Sequence, residues 1–385
     1  MPQVVIVGAG VVGASVAYHL AARGWQDVLI VDRGDRPGLG STSRATGGFR
    51  AQFATEVNVR LSLLSRDKLN AFRDEIGVDP GYVTTGYLWL ARTGEALHAL
   101  HEAQQVQHAC GLHEAMGVGS DEVKVLNPAV SREGVIGGVF CPTDGFLRPV
   151  QILNGYLEAA RRRGVQVRWG VDVHGAHVDG HGRIAALQTT GGTIAAEHVV
   201  NAAGAWAGAL GERVGVEVPV APVRRQVATT VPTAVVPPGA PMTIFADDGF
   251  HFRVRDGRVL LLLPQAGAAA DPFAATVDDE WLAAVTARAH HSVPVLRTVA
   301  IDRASCWAGL YEMSPDRHAL LGTHPACGNL HLANGSSGHG VMHAPALGHL
   351  LAELLSDGRA STMDVAALRP ERFAQGAPNP SGGVL

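Results

Sequence analysis

Lysine is nearly absent from this sequence. Of 31 basic residues only Lys68 and Lys124 are lysines, and all the others are arginines. Charge in general is scarce, at 17% of residues against roughly 25% in globular chains. With a formal net charge of −4 there is no basic excess, which excludes nucleic-acid binding as a main role. Long hydrophobic runs are missing too, since none reaches the ~18–20 residues of a membrane-spanning helix. Cysteine is limited to Cys110, Cys141, Cys306 and Cys327, too few and too scattered for a disulfide framework or a zinc cluster. No metal site is expected, and the thiols read as reduced, in a cytoplasmic protein. The apolar stretch Val4 to Leu20 looks like a signal peptide. Only Met1-Pro2-Gln3 precedes it where a basic region belongs, so no targeting signal is read.

Apolar residues and glycine are plentiful. Hydrophobic residues make up 46% of the chain, enough to build a core and to exclude disorder. Glycine accounts for 47 of 385 residues, well above the usual ~7%. The length suits one large domain or two smaller ones.

Val4-Val5-Ile6-Val7 is a β-branched apolar run of the kind a buried parallel strand requires. It leads into Gly8-Ala9-Gly10-Val11-Val12-Gly13, then a helical pattern over Ala14 to Arg23 that stops at Gly24. A second apolar run, Val28 to Val31, ends in Asp32, followed by Arg33. Strand, glycine turn, helix, strand and acid stand in the order of a dinucleotide fold. Gly8 permits the tight turn, Gly10 lets the backbone approach a pyrophosphate, and Gly13 lets the helix pack on the strand. The free amides at the helix start face the phosphates, and Asp32 is expected to accept hydrogen bonds from a ribose. The motif alone does not separate NAD from FAD.

Four further segments carry a resemblance. Gly40-Ser41-Thr42-Ser43-Arg44-Ala45-Thr46-Gly47-Gly48-Phe49-Arg50 is a polar glycine-rich loop before a helix expected over Thr55 to Ile76. Val199 to Trp206 and Trp307 to Asp316 read as strands with their turns. Asn334 to Pro345 contains Gly338-His339-Gly340 and opens a helix that runs to about Leu355. Together, and in this order, these segments resemble the D-amino-acid-oxidase family of flavoproteins. The similar branch is that of glycine oxidase, sarcosine oxidase β-subunit and proline dehydrogenase.

The resemblance implies an α/β (α+β) fold, with a Rossmann-like FAD-binding domain assembled from separated segments. These are placed at 1–85, 145–220 and 305–385. A substrate domain with a mixed or antiparallel sheet takes 86–144 and 221–304, with a helix over Asp278 to His291 packed on that sheet. Residues Gln375 to Leu385 are expected to fray. FAD is the implied cofactor. Its expected neighbours are Gly8, Gly10, Val12, Gly13, Asp32 and Arg33 from the fingerprint, and Thr42, Ser43, Gly47 and Gly48 from the loop. Val173, Gly204, Trp206, Gly338, His339, Gly340, Val341 and Met342 complete them. Thr42 and Ser43 offer donors to the pyrophosphate, and Gly47 and Gly48 let the backbone lie against the flavin ring. Val173 would pair its backbone with adenine. The start of the last helix would favour the negative charge that develops on the flavin pyrimidine. Where the family's covalent members carry a cysteine, this chain has Gly309. No histidine occurs between Asp32 and Lys68, where another branch attaches its flavin. Noncovalent FAD is expected.

In such enzymes the C–H beside the substrate nitrogen gives a hydride to flavin N5, and the imine that results is hydrolysed. The protein's task is orientation. Arg50 matches the family's carboxylate-clamping arginine, a role that suits a bidentate guanidinium, although a surface or phosphate contact would also employ it. Tyr311 is the nearest polar group where glycine oxidase has an arginine, and burial alone would equally explain it. His251 falls between Phe250 and Phe252, so alternation turns it, with Arg253, to the opposite face. It either lines the site or is a satisfied structural histidine. The family's lysine after Gly-His-Gly is replaced by Met342. The oxygen-activating lysine is missing as well, with Gln265 only loosely near its place. The electron acceptor is therefore oxygen, reduced without that lysine, or a quinone or other electron-transfer partner.

The expected activity is FAD-dependent oxidation of a small amino acid or secondary amine such as glycine, sarcosine or proline. The alternatives are an FAD-dependent 2-hydroxy-acid dehydrogenase and a β-subunit that relays electrons in a hetero-oligomer. An oligomer is compatible with the sequence. Other chemistries fail on spacing. His98 and His101 lack the second histidine of a metalloprotease site, and Gly335-Ser336-Ser337-Gly338 is no nucleophile elbow.

Overall fold

The computed structural model describes residues 2–265 and 271–380. Two sheets organise them. The first has six strands in the order Leu320–His324, Cys327–Asn334, His198–Asn201, Val4–Val7, Val28–Asp32 and Gln166–Trp169. The five from Cys327–Asn334 onward are parallel, and Leu320–His324 adds an antiparallel edge. Parallel strands need cover on both faces, and the sequence supplies it by simple alternation. Val4, Ile6, Val28 and Ile30 join a core with helices Val11–Ala22, Pro149–Arg162 and Gly340–Asp357. Val5, Val7, Leu29 and Val31 join a second core with the meander Val173–Val178, Ile184–Thr189 and Gly192–Ala195.

The second sheet has eight strands. Their order is Trp307–Met313, Ala221–Thr229, Arg258–Leu262, His251–Arg255, Met242–Phe245, Tyr87–Ala91, Gly137–Cys141 and Met116–Val118. Met242–Phe245 and Tyr87–Ala91 pair in parallel while the other pairs are antiparallel, so the sheet is mixed. Helix Asp279–Ser292 covers one face, packing Trp281, Val285 and Ala289 with Phe250, Phe252 and Leu261. The other face turns toward the first sheet.

Trp307–Met313, within the segment 305–385 expected for the FAD-binding domain, forms the edge of the second sheet by pairing along Ala221–Thr229. Two expectations need correction. The helix expected over Thr55 to Ile76 breaks at Ala71 into Glu56–Asn70 and Phe72–Ile76. The break sets Phe72 edge-on to Tyr156, with ring centroids 5.0 Å apart. The end of the chain is tied down as far as it is described. Asn379 donates its backbone and side-chain N–H groups to Asp316, both at 3.0 Å. Asp316 is also held bidentately by the buried Arg372, at 2.8 and 2.9 Å. The remaining tail residues 381–385 lie outside the described residues.

Candidate active site

A cavity of about 880 Å³ runs between the two sheets. At one end, the chain leaves strand Val4–Val7 through Gly8, whose φ of +110° suits glycine. A Cβ there would collide with the carbonyl of Ala202, and one on Gly13 with the carbonyl of Gly8. Gly10 differs, because its open side meets only the Thr42 hydroxyl, at 3.7 Å. Gly8, Gly10 and Val12 line the cavity, whereas Gly13 lies behind it as a packing glycine. Asp32 takes a backbone N–H on each oxygen, from Ala9 and from Gly34, both at 2.7 Å. Each oxygen keeps a second lone pair. Arg33 lies over the Trp206 indole, 3.8 Å from the ring centroid, and Trp206 is stacked on Phe273. Val173 and Gly204 share this end. The Val173 carbonyl accepts from Arg213 at 2.8 Å.

The loop after the second strand forms one helical turn, Ser41–Arg44. Thr42 is buried in the cavity wall and its hydroxyl accepts the Val11 N–H at 3.2 Å. Ser43, expected beside it, is turned away. On so short a turn its side chain faces outward, and its hydroxyl donates to the Gly38 carbonyl. Gly47 and Gly48 do line the cavity, but the reason for glycine there differs from the expected one. A Cβ would run into the Leu147 carbonyl at the first and the Tyr87 hydroxyl at the second. The protein itself demands these glycines.

The opposite end is built by the second sheet and the last helix. Trp89, Ile244, His251 and Leu262 stand side by side in register on four adjacent strands, and all line the cavity. Phe250 and Phe252 are buried on the other face, as alternation requires. Nδ1 of His251 pairs with the Gly249 carbonyl at 2.8 Å, so the ring donates there and Nε2 is left as an acceptor. Burial lowers the ring's basicity, and the charges of Arg50 and Arg225 lower it further. Gly338, His339, Gly340, Val341 and Met342 also line this end. Gly338 has φ +96°, and a Cβ there would strike the Tyr311 ring. Glu312 lies by the same helix start, taking the Ser336 N–H at 3.2 Å. Burial pushes its carboxyl up to about 7.

Arg50 is buried and rests on the Phe53 ring, 3.8 Å from its centroid. It donates to the Gln52 carbonyl and approaches Nε2 of His339 at 3.2 Å. Burial lowers the guanidinium to about 10, which leaves it charged near neutrality. The nearby Asp144 spends its oxygens on the Ala51 amide and the Gln52 side chain, at 2.7 and 3.2 Å. Arg50, His251 and Tyr311 thus share one end of one cavity. Arg225, Glu312, Tyr87 and Trp89 join them there without having been read from the sequence. Nothing local marks them, because each sits in an ordinary strand pattern.

The cavity suits FAD. It offers an open glycine turn, a helix start and an acid at one end, and a second helix start at the other. No cysteine lines it among the described residues, and Cys306 engages Thr229 and Asp302 elsewhere. No lysine lines it either, nor does Gln265, and no metal-binding cluster occurs among the described residues. No helix there is long and apolar enough to cross a membrane.

Comparison with known proteins agrees with this geometry. The profile of the DAO family, described as FAD dependent oxidoreductase, matches residues 3–354. Glycine oxidase of Geobacillus kaustophilus is 31% identical over 363 residues, covering 92% of each chain. FAD-dependent oxidoreductase domain-containing protein 1 of Xenopus laevis is 28% identical, over 96% of this chain and 82% of that protein. Among solved structures, L-proline dehydrogenase from P. horikoshii superposes with a TM-score of 0.90 at 28% identity. The match covers 98% of this chain and 99% of that one.

Proposed function

Since this chain belongs to the DAO family of FAD-dependent oxidoreductases, we propose that it oxidises a small carboxylated amine of the size of glycine, sarcosine or proline. It is an FAD enzyme acting on CH–NH or CH–NH2 donors. Two relatives are named for substrates of this size, a glycine oxidase and an L-proline dehydrogenase. The observation that carries the reading is Arg50. It is a buried cation whose charge meets no carboxylate in an ion pair among the described residues, and it lines the end of the cavity where the last helix begins. A buried charge without an ion-pair partner is costly; the nearby Asp144 offsets it only at a distance, and a substrate carboxylate would supply the direct partner.

When bound, FAD supplies the two-electron acceptor for the C–H beside the substrate nitrogen. The chain's own residues hold and orient. Arg50, fixed by Phe53, Gln52 and His339, is the proposed carboxylate clamp. His251 offers a neutral acceptor for a substrate N–H or for the proton the amine must lose. The indole, isoleucine and leucine beside it give that end an apolar wall. Four free cysteines support a reducing, cytoplasmic setting. Oxygen or an electron-transfer partner takes the electrons, and peroxide formation in air distinguishes the two.

The direct test mixes FAD-loaded protein, without oxygen, with a panel of small amino acids and secondary amines. Loss of the visible flavin band is expected with at least one. Silence across the panel would sink the amine reading, and bleaching by 2-hydroxy acids instead would replace it.

A further inference from the structure

Arg50 is not the only guanidinium at the substrate end. Arg225 lines the same cavity from strand Ala221–Thr229, where it stands opposite Gly309. At that partner position the Arg44 side chain packs against Gly309, where a Cβ would lie 3.1 Å from it. The Arg225 guanidinium lies 5.3 Å from the Tyr311 ring centroid, and among the described residues its one hydrogen bond goes to the Arg224 carbonyl, at 3.1 Å. Its sequence neighbour is used differently. Arg224 points to the other face, as alternation requires, and is tied to Asp278 at 3.1 Å.

Among the described residues, neither Arg50 nor Arg225 forms an ion pair, and the carboxylates near them have other duties. Asp144 holds Ala51 and Gln52, and Glu312 holds Ser336. The two arginines approach from opposite sides. Arg50 lies by Trp89 on strand Tyr87–Ala91, and three strands separate that strand from the one bearing Arg225. His251 comes from the middle one and feels both charges. Ile244, Leu262, Met242 and Val227 give this part of the wall an apolar lining. Two cations at the ends of an apolar span form a receptor for two anionic groups joined by a short carbon chain. A single carboxylate would balance one cation and leave the other.

Building on the reading that Arg50 clamps the carboxylate of an amine, we propose that the preferred substrate carries a second carboxylate, held by Arg225. The class is that of amino dicarboxylic acids and N-carboxyalkyl amino acids. Arg225 is then the residue that sets specificity, while oxidation still occurs at the C–H next to nitrogen.

The test compares matched amines in which a carboxylate replaces a methyl group: N-(carboxymethyl)glycine against N-ethylglycine, and glutamate against 2-aminopentanoate. A charge-assisted contact predicts that the dicarboxylic member of at least one pair has a kcat/KM higher by about 10- to 100-fold. Arg225→Gln should bring that ratio close to one, and Arg225→Lys should keep part of it. Retained flavin and an unchanged melting temperature show that the variants are folded. Binding of glutarate against pentanoate, read from the perturbed flavin spectrum, gives the same comparison without turnover. A wild-type ratio of one or less overturns the proposal, as does a preference that survives in Arg225→Gln. Failure of every amine, mono- or dicarboxylic, to reduce the flavin refutes the underlying amine reading instead, so the two failures are distinguishable.

Discussion

Nε2 of His339 lies 3.2 Å from the Arg50 guanidinium, joining residues 289 positions apart. A guanidinium only donates, so the ring must accept there and carry its proton on Nδ1. Burial and the Arg50 charge hold the His339 pKa well below its ordinary value, which keeps the acceptor free. Replacing His339 by Phe should leave Arg50 less well aimed. KM is expected to rise about tenfold or more, with a smaller change in the limiting rate of flavin reduction. His339 should add no inflection near pH 6.5 to the kcat/KM profile. A purely structural role would lower flavin content without this KM shift.

Arg50→Lys tests the clamp itself. Lysine keeps the charge but has neither the planar fork nor the flat face that rests on Phe53. Flavin reduction per unit of amine concentration should fall about 100-fold, equivalent to ~3 kcal/mol. Stopped-flow reduction without oxygen measures it, and a loss below about threefold would remove Arg50 from substrate binding.

Gly338→Ala should cost the protein its cofactor more than its fold. The backbone there has φ +96°, and the added methyl would strike the Tyr311 ring at the cavity wall. Strain of about 1–3 kcal/mol is expected, relieved by moving the start of helix Gly340–Asp357. The ratio of flavin to protein absorbance in the purified variant reads the effect.

Acid precipitation should release all the flavin into solution. The position occupied by cysteine in covalent relatives is Gly309, and Cys306 does not line the cavity among the described residues. Yellow colour retained in the washed precipitate would disprove noncovalent binding.

Buried neutral histidines should make the fold acid-sensitive. Burial lowers His19, His331 and His343 to about 3. Between pH 6.5 and about 3 the unfolded chain therefore binds more protons at these sites, and stability falls as pH falls. Each contributes a slope of about 1.4 kcal/mol per pH unit. Glu312 and Asp144, raised to about 7 and about 6, act in the opposite direction. Between those values and the ordinary carboxyl range of about 4 the native state holds the extra proton, so a fall in pH favours it over that window. The clean readout is thus a difference. His343→Gln, which can still reach Ser62, should flatten the stability slope between pH 6 and 4.5 by about 1.4 kcal/mol per unit. Denaturant titrations at both pH values check it.

How much of the site could be read in advance depended on the distance over which each feature is encoded. Gly8, Gly10 and Asp32 lie within one strand–turn–helix–strand unit, where spacing alone prescribes the geometry. His251 was assigned its face by the period of a strand, and it lines the cavity. The outward face of Ser43 is not legible in the sequence, because a single helical turn has no long pattern from which to read it. Gly47 and Gly48 line the cavity, but a collision with Leu147 or Tyr87 has no local signature.

By itself the sequence determined the nucleotide turn, the period of each strand, the absence of lysine near the chemistry and the resemblance to one flavoprotein family. These follow from local sterics and composition. Only the tertiary structure decided that strand Trp307–Met313 closes the second sheet, that His339 holds Arg50, and that Arg225 faces the same cavity. Those are meetings of distant segments. Pairing between strands and packing between layers bring them about, and no spacing along the chain records them.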